Sequence, residues 1–69
     1  MELKLAERLK ELREERGFSQ GKLANAIGVD PTFISHVETG NSSVSLETLV
    51  LIADFFDVTT DYLLGRKDK

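Results

Sequence analysis

The sequence predicts an all-α domain of five short helices, and three observations carry that expectation. Apolar residues recur at spacings of three and four along the chain. Short polar residues precede these runs and glycines follow several of them. No alternating stretch of β-branched residues is flanked by hairpin turns, so strand signals are poor.

The first helix is marked by Leu5, Leu9 and Leu12 with Ala6 beside them, and Gly17 supplies a stop just beyond Arg16. Ser19 can cap a second helix that Gly28 ends after Ile27. Asp30 followed by Pro31 starts a third, because proline at the first helical position gives up only an amide that had no partner. Asn41-Ser42-Ser43 reads as a loop. Ser45 can cap a fourth helix whose expected buried line is Leu46, Leu49, Ile52, Ala53 and Phe56. Thr59 or Thr60 can cap a short fifth through Leu64, ended by Gly65. The expected domain is 1–65, followed by a short flexible tail at 66–69.

Composition narrows the function. The 69 residues, 41% hydrophobic and 30% charged, fit one small globular domain near the lower size limit for folding alone. With no cysteine, neither a disulfide framework nor a thiolate metal site can hold it together. No apolar run approaches the roughly 20 residues of a membrane span, and the charged N-terminus lacks a signal-peptide core, so a cytoplasmic protein is expected. The net charge of -3 is unlike that of a nonspecific nucleic-acid binder. Its distribution is more telling: residues 17–41 carry only Lys22, Asp30 and Glu38.

That weakly charged stretch holds the central motif. Leu23, Ala24 and Ile27 share one face of the second helix, and Ile34 and Val37 share one face of the third. For the two faces to meet across so short a turn, the helices must cross steeply. Ala24 is small where close approach is needed, Gly28 can take a left-handed conformation, and Val29 plugs the corner. This is what a helix-turn-helix requires. At ~100° per residue, Thr32, Ser35, His36 and Thr39 then point outward, with Phe33 on the shoulder. Hydroxyls and imidazole can bond base edges, and Phe33 and Pro31 can touch thymine methyls.

Gln20-x-x-x-Ala24-x-x-x-Gly28, then Ile34, Val37 and Glu38-x-Gly40, resembles the Cro/C1-type helix-turn-helix family of phage repressors and bacterial regulators, the lambda-repressor-like class. "LKELREERGFSQ" before the motif and "SLETLVLIADFFDVTTDYLLG" after it are similar to the family's first, fourth and fifth helices. The likeness runs from about Leu5 to Gly65. It implies a five-helix domain that binds double-stranded operator DNA, usually as a homodimer. By motif position it assigns base reading to Pro31, Thr32 and His36, with Phe33 and Ser35 as further candidates. Gln20, Lys22, Thr39 and Asn41 are the candidates for phosphate contact, although Gln20 also reads as an ordinary first-turn surface residue. Arg13 and Glu38 match a structural pair tying the first helix to the end of the recognition helix. The chain departs from the pattern at Thr39 and Asn41, where basic residues are common, and at Val44, where a loop proline is common.

The fourth helix has more apolar residues than one buried face needs. Leu51 and Phe55 lie one turn apart on its far side. Either the first or fifth helix covers them, or they form a homodimer seam with Thr60, Tyr62 and Leu63, at family-like dimer positions.

The expected function is therefore a sequence-specific DNA-binding transcriptional regulator, a repressor on a two-fold symmetric operator, nucleoid-associated when bound. No effector domain or pocket is evident, so control is expected from concentration, dimerisation or a regulatory protein partner rather than a small-molecule ligand. The acidic balance and uncharged recognition face keep a second class in view, a helix-turn-helix protein-interaction module such as an antitoxin or adaptor. No cofactor and no enzymatic activity are expected: His36 is the single histidine, with only Glu38 near it on a different face, and neither a nucleophile–base pair nor a phosphate loop is present.

Overall fold

A computed structural model describes residues 3–68, and among these the backbone forms five helices and no strand. They are α1 (Leu5–Glu15), α2 (Gln20–Ile27), α3 (Pro31–Glu38), α4 (Leu46–Phe56) and α5 (Thr60–Leu63). Four of the starts are capped by side chains named from the sequence. Ser19, Asp30, Ser45 and Thr59 accept hydrogen bonds from the amides of Lys22, Thr32, Thr48 and Tyr62. α1 has no such cap; the amide of Lys4, just before it, instead donates to the carbonyl of Leu64 at 3.1 Å. The expected domain and tail ends at Met1, Glu2 and Lys69 lie outside the described residues.

The core is a single apolar cluster. Leu9 and Leu12 of α1, Leu23 and Ala24 of α2, Ile34 and Val37 of α3, Leu49, Ile52, Ala53 and Phe56 of α4, and Leu63 of α5 are buried together. α2 packs chiefly on α3, while α1 and α4 brace that pair. A fully buried aliphatic side chain contributes roughly 1.5–3 kcal/mol, so eleven buried apolar residues are a workable core for so short a chain.

Three expectations are corrected. Leu46 is 82% exposed and does not belong to the buried line of α4. It is the first residue of its helix, and a helical side chain leans toward the N-terminus, so Leu46 projects back past the core. Leu63 is completely buried, so its side chain cannot face a partner. The expected cover does not reach Leu51, which is 47% exposed, whereas Phe55 is half-buried and packed against the core. Phe18, in the α1–α2 connection, packs on Phe55 with the rings tilted by 58° at 5.2 Å between centroids, and Phe56 closes the cluster at 5.1 Å from Phe55.

Candidate nucleic-acid interface

The turn between α2 and α3 has the local chemistry that the motif needs. Gly28 sits at φ 79°, ψ 33°, in the left-handed region, and its amide donates to Ala24. Val29 donates to the same carbonyl at 2.9 Å, which satisfies the end of α2 within the turn. Asp30 then accepts from Thr32 at 2.8 Å, and Pro31 opens α3. With Leu23, Ala24 and Ile34 at 0% exposure and Val37 at 1%, the facing sides of the two helices are dry.

Burying Ile34 and Val37 turns the opposite side of α3 outward. Pro31, Thr32, His36 and Thr39 are exposed, and Ser35 is half-exposed. Phe33 lies on the shoulder, half-buried and packed against the core cluster. The base-reading candidates therefore form one continuous face, except that Phe33 is shared with the core.

The phosphate candidates are more dispersed. The Thr39 hydroxyl lies 3.1 Å from the carbonyls of Ser35 and His36, where it donates, and its oxygen accepts from the Asn41 amide at 3.1 Å. These two side chains form a closed local cap on the end of α3. Lys22 is exposed, but it stands about 200° around the helix from Gln20, and its ammonium lies 5.2 Å from the centre of the Phe18 ring. Gln20 is half-buried at the first position of α2, and its Nε2 donates to Glu38 Oε1 at 3.1 Å.

Beneath this face is the ion pair expected from the sequence. Arg13 Nε donates to Glu38 Oε2 at 2.7 Å, and Nη2 donates to Oε1 at 3.0 Å. Arg13 Nη1 also donates to the carbonyl of Phe18 at 2.8 Å. Both side chains are nearly inaccessible, at 10% and 3%. The bond to Glu38 holds the Arg13 guanidinium above its ordinary pKa, against the lowering effect of burial. The pair is thus a neutral, two-pronged tie between the last turn of α1 and the last residue of α3.

Sequence reasoning missed two contacts at this end of the molecule. Gln20 joins the Arg13–Glu38 pair. Arg16 Nη2 donates to the carbonyl of Phe56 at 3.1 Å and so caps the C-terminus of α4. A basic residue just past α1 was the available signal for the second. The first joins positions 18 residues apart and has no local signal. Among the described residues, no group of three or more His, Asp or Glu side chains is placed to hold a metal ion, and no helix is long and apolar enough to cross a membrane.

Comparison with known proteins places this geometry. The family model described as Helix-turn-helix matches residues 9–63. The HTH-type transcriptional regulator DdrOP3 of Deinococcus deserti is 40% identical over 62 residues, covering 90% of this chain and 48% of the relative. The chain spans about half the length of the curated relatives it matches. Among solved structures, the restriction-modification controller protein C.AhdI of Aeromonas hydrophila superposes with a TM-score of 0.80 at 36% identity, covering 88% of this chain and 92% of that one. The master regulator for biofilm formation SinR, solved in complex with DNA, gives a TM-score of 0.80 at 30% identity, covering 87% of this chain and 97% of that one; SinR comes from Bacillus subtilis. The fold is lambda-repressor-like, as the quoted motifs imply. With the model matching across all five helices, the chain belongs to the Cro/C1-type helix-turn-helix family.

Proposed function

We propose that the protein is a sequence-specific regulator of transcription that lays α3 in the major groove of double-stranded DNA. One observation carries this reading: the exposed side of α3 is a continuous row of Pro31, Thr32, Ser35 and His36, held out by a dry α2–α3 interface. Their hydroxyls and imidazole match the donor and acceptor patterns of base edges. SinR, similar in fold and sequence, is a regulator crystallised on DNA, which supports the same use here. The N-terminus of α2 has no acidic residue in its first turn, so its free amides and partial positive charge suit a phosphate. That offsets the scarcity of basic side chains. It also sets an expectation of modest affinity with a shallow salt dependence, since each phosphate charge neutralised adds about one unit to the slope.

The proposal extends to a homodimer acting as a repressor. Leu51 is exposed, with Phe55, Thr60 and Tyr62 half-buried near it in sequence, and such a pairing would present two α3 helices about 34 Å apart to a two-fold symmetric site. No enzymatic step, cofactor or small-molecule effector is part of the reading, and the working compartment is the cytoplasm. Selection from a random-sequence duplex pool, followed by sequencing of the retained fraction, tests it. A recurring palindromic motif is expected. A retained fraction with no shared sequence, or none at all, would leave the protein-interaction reading in its place.

A further inference from the structure

We infer that Glu38 is a positioning residue for DNA binding, acting through Gln20, and that Arg13 makes that role possible. The inference rests on the DNA-binding reading and concerns how the site grips the backbone.

A glutamine amide is ambiguous at a phosphate. Rotated one way it offers two donors, and rotated the other way it offers an oxygen that a phosphate repels. Gln20 is the chain's single glutamine, and its ambiguity is resolved from inside the protein. Glu38 Oε1 is an acceptor only, so at 3.1 Å it holds Nε2 rather than the amide oxygen toward itself. Nε2 carries a second proton, which has no acceptor among the described residues. Gln20 is half-exposed at the first position of α2, where the helix amides also point outward. One proton is thus used to fix the side chain, and the other remains to donate to a phosphate oxygen. The ordering of a long side chain, which otherwise opposes the contact, is complete before DNA arrives.

Glu38 alone would be a poor choice for this task, because a bare carboxylate just below the contact surface repels a polyanion. Arg13 removes that objection with two hydrogen bonds, at 2.7 and 3.0 Å, and takes the carboxylate's charge into a neutral pair. Because the three residues sit on α1, α2 and α3, the same network sets the mutual register of α2 and the recognition helix.

The test uses the duplex retained from the random pool, with random-sequence duplex as a second probe. Gln20→Met is expected to weaken binding on both probes by about tenfold for each bound subunit, as for one charge-assisted hydrogen bond per subunit. The salt slope should not change, because no fixed charge is lost. The paired replacement Arg13→Met with Glu38→Leu removes the buried ions together, which usually preserves folding, and circular dichroism checks that it does. Its binding should fall by a similar factor, and adding Gln20→Met to it should cause no further loss. Binding of Gln20→Met at the wild-type level, or losses that multiply in the triple variant, would overturn the inference. A second measurement does not depend on the folding of any variant: the single glutamine side-chain amide is followed by NMR in the wild-type chain. One proton should be shifted and protected before DNA is added, and the other should shift only on addition of duplex. Two protons resembling those of a free glutamine would refute the inference even if DNA binds. Failure of the wild-type chain to retain any duplex refutes the underlying reading, and the inference falls with it.

Discussion

At residue scale, Glu38 is the side chain on which most else converges. Removing it as Glu38→Ala would strand the Arg13 guanidinium at 8% exposure with only the Phe18 carbonyl for a partner. The expected loss is about 3–5 kcal/mol, read as a shift in the urea midpoint without a change in slope. The pair itself should confer no pH dependence near neutrality. A guanidinium whose pKa is raised on folding contributes stability that is complete below its unfolded value. That contribution is lost only as pH rises through the folded value, far above the neutral range. His36 and Lys22 separate two kinds of contact. His36→Ala should cost about 1–3 kcal/mol on the preferred sequence and relax selection at one base position. Lys22→Ala should weaken all sequences alike and reduce the salt slope by at most about one unit. Binding measured on matched and mismatched duplexes at several salt concentrations distinguishes them.

At the scale of elements, the helix boundaries were legible because they are local. Each of Ser19, Asp30, Ser45 and Thr59 bonds an amide only two or three positions ahead, so the chain states its own starts. The α2–α3 contact was legible from periodicity and the short glycine turn, whereas the polar tie between Arg13 and Glu38 was legible only through the family pattern. Periodicity placed Leu46 on the right side of α4 but could not say how far neighbouring helices reach. Tyr62 and Leu63 are neighbours in the expected seam, yet adjacent helical residues stand ~100° apart, and Leu63 takes the inward direction. The cover on Phe55 came from Phe18, which lies in a connection where no periodic signal exists. Two glycines offer a graded test of the turns. A Cβ on Gly28 would meet nothing within 4 Å, so Gly28→Ala should cost only the left-handed backbone penalty, about 1–2 kcal/mol. A Cβ on Gly65 would lie 2.8 Å from Lys4 Cβ at a similar φ, so Gly65→Ala should cost more. Thermal unfolding of the two variants side by side checks the order.

For the whole molecule, the distribution of exposed apolar surface bears on the proposed dimer. The exposed large apolar side chains of α4 are Leu46, Val50 and Leu51, and the charged residues of that helix are both acidic, Glu47 and Asp54. A dimer seam that includes Leu51 is sensitive to one more negative charge there. Leu51→Glu should shift sedimentation to the monomer while changing unfolding of the monomer by no more than about 0.5 kcal/mol, since the site is exposed. Affinity for a palindromic duplex should fall with it, and affinity for a single half-site should not.

The hydrogen bond from Lys4 to the Leu64 carbonyl brings the outer edges of α1 and α5 together. A circular permutation follows from that proximity. A linker of a few residues joining the two edges, with new termini opened at the exposed Ser43, would reorder the chain without moving a helix. Such a permutant should unfold cooperatively and give the far-ultraviolet spectrum of the original, because the domain's packing does not depend on the order in which its helices are threaded.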